Sequence, residues 1–111
     1  NAYLGMMHYA KGQPFEYWIG VFADKDSAVP EGFQNIDFPE STLGVCWVYG
    51  QEYEVYCNED KCAEKLIREG YKIPIDEKDG YWFFERYACP RFTEPDEKGN
   101  IILDICHYIT E

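Results

Sequence analysis

The chain has 111 residues, of which 46% are hydrophobic and 18% aromatic, a composition that excludes a disordered or low-complexity protein. Its 21 acidic and 10 basic residues give a formal net charge of −11, which disfavours direct nucleic-acid binding and favours cationic partners. No apolar run is long enough to cross a bilayer, and nothing at the start reads as a signal peptide, so we expect one soluble, cytoplasmic domain without membrane contact.

The cysteines predict neither a metal site nor a cofactor. Without a secretory signal, reduced thiols are the expected state and a disulfide is the less favoured alternative. Cys57 and Cys62 have a weak metal-ligand spacing, and no histidine lies nearby in sequence to complete a zinc site. The five cysteines are Cys46, Cys57, Cys62, Cys89 and Cys106.

The predicted domain covers residues 3–111, because Asn1 and Ala2 resemble the remnant of a cleaved expression tag. Residues 3–10 (YLGMMHYA) predict a strand ended by the turn residues KGQP, and residues 15–23 (FEYWIGVFA) predict its hairpin partner. A charged loop follows. Residues 33–38 (FQNIDF) then predict a short extended piece.

Residues 41–50 (STLGVCWVYG) are rich in β-branched and aromatic residues and predict a buried strand. A helix is predicted from Glu59 to Glu69, with Asn58 as its cap and acidic residues at the positive end of its dipole. Its narrow apolar stripe, which includes Cys62 and Leu66, indicates that it lies on a sheet.

Two further strands are predicted over residues 81–88 and 100–109. The element order is therefore strand, strand, strand, helix, strand, strand. This order predicts an α+β fold in which a helix packs on one face of an antiparallel sheet.

Glu85 stands among aromatic and apolar residues in GYWFFERYACPRF, residues 80–92. Alternation along a strand places Glu85 on one face with Phe83 and Tyr87. Trp82 and Phe84 would lie on the other face, and we expect them to pack beneath the helix.

Glu85 would then point to the sheet face opposite the helix, into an aromatic-walled groove. Such a groove suits a flat, apolar cation, because aromatic rings and a carboxylate both attract positive charge. Burial should raise the pKa of Glu85. The alternative is an ion pair at the sheet surface, for which Arg91 is the partner within reach.

Four segments resemble, in their order and spacing, the GyrI-like effector-binding domains of AraC-type and MerR-type bacterial transcription regulators. In particular, Phe84 to Tyr87 matches the family pattern F-E-x-Y residue for residue. The segments are YWIGV (residues 17–21), PESTLGVCWVYG (39–50), GYWFFERY (80–87) and NIILDICHYI (100–109).

The resemblance implies a duplicated β-α-β-β fold with a groove between its halves. The family's central glutamate, which meets lipophilic cations in multidrug-sensing members, corresponds to Glu85. Taken singly, each aromatic side chain is more often a core residue than a ligand contact. The predicted ligand-binding residues are Glu85, Tyr87, Phe83, Tyr17, Trp47, Tyr49, Tyr3 and Tyr108.

The chain departs from the family pattern in two places. The last strand reads CHYI where the family has an Ile-Pro pair, so His107 and Tyr108 are expected to alter the rim of the groove. The family's first strand and helix have no counterpart before residue 3. We therefore expect either a homodimer or a fragment of a longer regulator that carries a DNA-binding domain.

Three functions remain open from the sequence. The first is a sensory module that binds an aromatic or lipophilic, cationic small molecule. The second is a hydrolase that uses Glu85 as general base, with His8 and His107 in structural roles. The third is a gyrase-inhibitor-like module that meets a basic protein.

Overall fold

One antiparallel sheet of five strands organises residues 2–111, the part of the chain that the computed structural model describes. Asn1, half of the predicted tag remnant, lies outside the described residues. The strands are β1 (Tyr3–Ala10), β2 (Glu16–Gly20), β3 (Thr42–Gly50), β4 (Gly80–Tyr87) and β5 (Ile101–Ile109). The helices are α1 (Glu52–Val55) and α2 (Glu59–Arg68). This arrangement confirms the predicted α+β class.

The strands lie side by side in the order β2-β1-β4-β5-β3, and every neighbouring pair is antiparallel. The central strand is β4, and Gly5 of its neighbour β1 stands opposite Glu85. In residues 2–111, no helix combines the length and the apolar character that crossing a bilayer requires.

One predicted strand is shorter than expected, and the predicted extended piece pairs with no strand. β2 ends at Gly20, because its last partner on β1 is Leu4, close to where β1 begins. Residues 33–38 form no strand. The segment instead lies over the sheet, where the ring of Phe38 is 5.3 Å from that of Trp82 and 5.7 Å from that of Tyr108.

The helix prediction is confirmed within one residue, and Asn58 occupies the predicted N-cap position, but its side chain makes no capping hydrogen bond there. The side-chain amide of Asn58 donates hydrogen bonds to the carbonyls of Glu54, Val55 and Tyr56, at 2.9–3.2 Å. Asn58 therefore closes the end of the short helix α1, which the sequence did not predict, and makes no side-chain bond to the start of α2.

The face on which the helix packs differs from the prediction. Cys62 and Leu66 of α2 pack on Leu103 and Ile105 of β5, and Ile105 stands opposite Glu85. Glu85 thus lies on the helix-bearing face, and the prediction of opposite faces is wrong.

Trp82 and Phe84 pack on the far face with Met6 and Cys106, covered by the loop that precedes β3. Both faces of β4 carry large apolar rings, so the helix and the long loop could each have covered either face. The narrow stripe of α2 meets the aliphatic residues of β5, whereas Phe38 of the loop packs on the aromatic residues.

Cys46 and Cys62 form a disulfide between β3 and α2, with their Cα atoms 5.9 Å apart. The expectation of five reduced thiols is therefore wrong. Cys46 stands opposite Ile105 on the face that α2 covers, a proximity that sequence spacing does not reveal. Cys57 and Cys89 are free and exposed, and Cys106 is free and buried.

We expect three reactive thiols in protein denatured without reductant, and five after reduction. Reduction should lower the free energy of unfolding by about 3 kcal/mol, because the bond closes a loop of moderate length. Thiol titration and urea denaturation measure the two effects. Cys89→Ser is the control, since it removes one thiol and should leave stability unchanged. Five thiols before reduction would contradict the assignment.

Candidate ligand-binding site

A groove of about 950 Å³ lies on the helix-bearing face, over β1, β2 and β4. It exists because α2 packs against β3 and β5 and leaves the other half of this face open. Seven aromatic side chains line it: Tyr9, Phe15, Tyr17, Tyr56, Tyr81, Phe83 and Tyr87. Three acidic side chains line it as well, Glu59, Asp60 and Glu85, together with Met7 and Cys57. Among the described residues, no lysine, arginine or histidine contributes to the lining.

Strand pairing brings the aromatic side chains together. Met7 of β1 stands opposite Phe83 on one side and opposite Tyr17 on the other. Tyr9 stands opposite Tyr81 in the same register, so these side chains share one face of the sheet. The side chains of the β1–β2 hairpin therefore line one side of the groove, next to those of β4.

Glu85 is the most buried acidic group of the groove, with 7% of its surface exposed. One of its carboxyl oxygens, Oε1, accepts a hydrogen bond from the hydroxyl of Tyr87 at 3.0 Å. Gly5 makes room for this contact. A Cβ atom on Gly5 would lie 2.7 Å from the hydroxyl of Tyr87 and 2.8 Å from that of Tyr17, so both hydroxyls converge above the glycine.

Burial raises the pKa of Glu85 to about 7. The neighbouring carboxyl of Glu59 adds to the rise through a hydrogen bond and through its charge, while the bond from Tyr87 opposes it. Burial also raises the pKa of Tyr87 well above its usual range, helped by Tyr17 and Glu85. Near neutral pH, Glu85 is therefore a mixture of acid and carboxylate, and Tyr87 keeps its proton.

The arginines that could have neutralised Glu85 are bound elsewhere. The fully buried Asp104 of β5 accepts hydrogen bonds from Nε of Arg86 at 2.8 Å and from Nε of Arg91 at 2.7 Å. These contacts keep the pKa of Asp104 below its usual value against the effect of burial. Asp104 lies on the far face, as does Trp47, beneath the guanidinium of Arg91. The alternative in which Arg91 pairs with Glu85 is therefore contradicted.

The structure brings four of the eight predicted site residues into the groove: Glu85, Tyr87, Phe83 and Tyr17. Trp47 and Tyr49 lie on the far face of β3, in register with Asp104 and Ile102, and are exposed. Tyr108 also lies on the far face, stacked on Phe38. Tyr3 stands opposite Tyr87 but is exposed outside the lining.

His107 lies below the groove rather than at its rim. It is buried, and its ring stacks on that of Phe83 at a distance of 5.4 Å. Its Nε2 donates a hydrogen bond to the backbone carbonyl of Glu59 at 3.0 Å, which ties the start of α2 to β5. Burial lowers the pKa of His107, so the neutral ring is favoured. His8 is also buried, and its Nε2 pairs with Asp76 at 2.7 Å.

Sequence reasoning missed the acidic residues that α2 contributes. The helix dipole alone accounts for acidic residues at positions 59 and 60, and the sequence predicts the helix on the face opposite Glu85. Tyr81 could have been found, since side-chain alternation in β4 places it on the face of Glu85. Tyr9 shares the face of Tyr3 and Met7 in β1, but only the pairing of β1 with β4 brings that face to Glu85. No comparable signal marks Phe15 or Tyr56.

Comparison of the chain with protein-family models, with curated proteins and with solved structures found no match. The relation to GyrI-like domains therefore stays a prediction.

We expect Glu85 to make stability depend on pH. Because folding raises its pKa from 4.5 to about 7, the folded state binds the proton more tightly than the unfolded state. Its contribution to stability is fully present below about pH 4.5 and is lost as pH rises through about 7. Urea denaturation at about pH 5 and about pH 8 should show a smaller difference in Glu85→Gln than in wild type. The exposed Glu77→Gln is the control, and an unchanged difference in Glu85→Gln would contradict the burial argument.

Gly5→Ala should destabilise the protein by about 1–3 kcal/mol, because the new methyl group must displace two hydroxyls that lie within 3 Å of it. Gly20→Ala on the neighbouring strand is the matched control, since nothing lies within 4 Å of its added carbon. Chemical denaturation of both variants measures the difference. Equal stability of the two would show that the hydroxyls do not converge above Gly5.

Proposed function

We propose that this chain is an effector-binding module that recognises an aromatic or lipophilic, cationic small molecule in the groove around Glu85. One observation carries the proposal: a buried carboxyl faces an aromatic groove to which no basic side chain contributes among the described residues. Structural acids that are this buried usually have a cationic partner within the protein. Within residues 2–111, Asp104 has two such partners and Glu85 has none.

The groove attracts cations in three ways. Each ring that contacts a cation contributes about 0.5–2 kcal/mol of cation–π attraction. Glu85 supplies a charge in a poorly hydrated place, where pairing is stronger than in water. The net charge of −11 raises the local concentration of cations around the whole protein.

We further propose that the fold is the duplicated one of GyrI-like domains. The strand order β2-β1-β4-β5-β3 supports this, because β1 and β2 lie on one side of the boundary between β1 and β4, as β4 and β5 lie on the other. β3, α2, β4 and β5 form one β-α-β-β unit, and β1 and β2 match its last two strands. The counterpart of β3 would pair at the outer edge of β2. A second copy of the chain or another part of a regulator that carries a DNA-binding domain could supply it.

A hydrolase is the second candidate, and one observation favours it. A carboxyl group whose pKa is about 7 suits a general base, and the hydroxyl of Tyr87 beside it could donate to a developing negative charge. Turnover of an electrophilic aromatic compound, abolished by Glu85→Gln, would support this candidate over simple binding.

We expect lipophilic aromatic cations to bind the wild-type protein. Glu85→Gln should lower their affinity at least about tenfold, which corresponds to about 1.4 kcal/mol of binding free energy. Isothermal titration calorimetry with cations and with neutral compounds of the same shape measures this. Affinity for cations should also rise between about pH 6 and about pH 8, because the carboxylate form of Glu85 becomes dominant.

Glu77→Gln, an exposed change of equal charge outside the groove, is the matched control. If Glu85→Gln binds the cations as tightly as wild type does, the charge of Glu85 has no role. If the chain captures a basic protein and substitutions in the groove do not reduce that capture, the protein-interaction alternative is favoured.

A further inference from the structure

Two carboxyl groups from different elements meet in the groove. Glu85 comes from β4, and Glu59 is the first residue of α2, within hydrogen-bonding reach of Glu85. The position of Glu59 is fixed from three sides. His107 holds its backbone carbonyl, Asn58 anchors the preceding chain to α1, and the disulfide of Cys62 fixes the helix one turn later.

This carboxyl pair lacks donors. Oε1 of Glu85 accepts from Tyr87, and the carboxyl group of Glu59 is the only other side-chain group of residues 2–111 within hydrogen-bonding reach of Glu85. Within the same residues, no side chain donates a hydrogen bond to the carboxyl group of Glu59, since His107 donates only to its backbone carbonyl. Glu85 is 7% exposed, and no protein group within the same residues donates to its second oxygen, Oε2, which is left to the solvent of the groove. Carboxyl oxygens without a protein donor therefore face the groove.

The chemistry of the pair discriminates between classes of cation. A quaternary ammonium or phosphonium ion carries charge but no N–H, so it would leave these oxygens without hydrogen bonds after it displaces water. A buried acceptor left unpaired destabilises the complex. Two carboxylates within hydrogen-bonding reach of each other also repel when both are ionised.

An amidinium or guanidinium group removes both costs. It is flat and positively charged, and its N–H donors point outward in one plane, a geometry that matches carboxylates. One such group can donate to two carboxylates at once while its faces lie against aromatic rings. Phe83 and Tyr81 offer such rings beside the pair, with centroids 5.5 Å apart.

We propose that the groove selects a flat cation with N–H donors, an aryl amidinium or aryl guanidinium, whose donors bridge Glu59 and Glu85. The inference rests on the proposed function and adds the chemical class of the ligand head group. It assigns to Glu59 a role in ligand specificity.

Benzamidinium and phenyltrimethylammonium form a matched pair of probes, since both join one phenyl ring to one positive charge and only the first carries N–H donors. Titration calorimetry on the whole chain at about pH 8, where Glu85 is mostly ionised, should give at least about tenfold tighter binding of benzamidinium. In Glu59→Gln the preference should fall below about threefold. Glu64→Gln, an exposed change on the same helix, is the control and should keep the wild-type preference.

The outcomes separate the two proposals. Equal affinity of wild type for both probes overturns the inference on the ligand class and leaves the cation-binding proposal intact. If Glu59→Gln keeps the wild-type preference for benzamidinium, the bridging role of Glu59 is overturned. Binding of neither these probes nor the larger lipophilic cations overturns both proposals. Should Glu59→Gln fail to fold, the comparison of the two probes on wild-type protein still decides the inference.

Discussion

The candidate site follows from one constraint: Glu85 is buried, and no cationic side chain in the described part of the chain pairs with it. Arg86 is its neighbour in sequence, but alternation along β4 sends that side chain to the far face, where Asp104 binds it together with Arg91. The two acids have opposite responses to burial. Asp104 stays ionised because two guanidinium groups surround it, whereas Glu85 takes up a proton near neutral pH. Both nearby arginines therefore lie on the far face, and the groove on the other face stays acidic.

The short helix α2 creates the space in front of Glu85. Its ten residues extend about 15 Å, enough to cover β3 and β5 but not the neighbouring half of the sheet. The disulfide between Cys46 and Cys62 and the hydrogen bond from His107 hold the helix at this place. The apolar residues of the far face are covered by the long loop after β2. One face of the sheet thus combines a packed core and an open aromatic groove.

Sequence periodicity predicted the element order and the face shared by Phe83, Glu85 and Tyr87, because two-residue alternation is a local property. It could not predict which face the helix covers, since Trp82 and Phe84 make the other face of β4 equally apolar. For the same reason, the sequence does not predict Glu59 as a site residue, and it wrongly predicts Trp47, which lies on the far face. The pairing of Cys46 with Cys62 depends on how α2 lies over β3, a tertiary fact that neither spacing nor composition encodes.

A proton and a cationic ligand are alternative ways to neutralise the same buried carboxyl. In the protein alone, burial and the nearby carboxyl group of Glu59 favour a proton on Glu85. For the proposed ligand, its positive charge takes the place of that proton, and the proton is released to solvent. A pKa of about 7 makes this exchange nearly free of cost at neutral pH, because ionising a group at its own pKa requires little free energy. Burial of Glu85 destabilises the folded protein when the carboxyl group is ionised, and the same burial suits Glu85 to bind a cation reversibly.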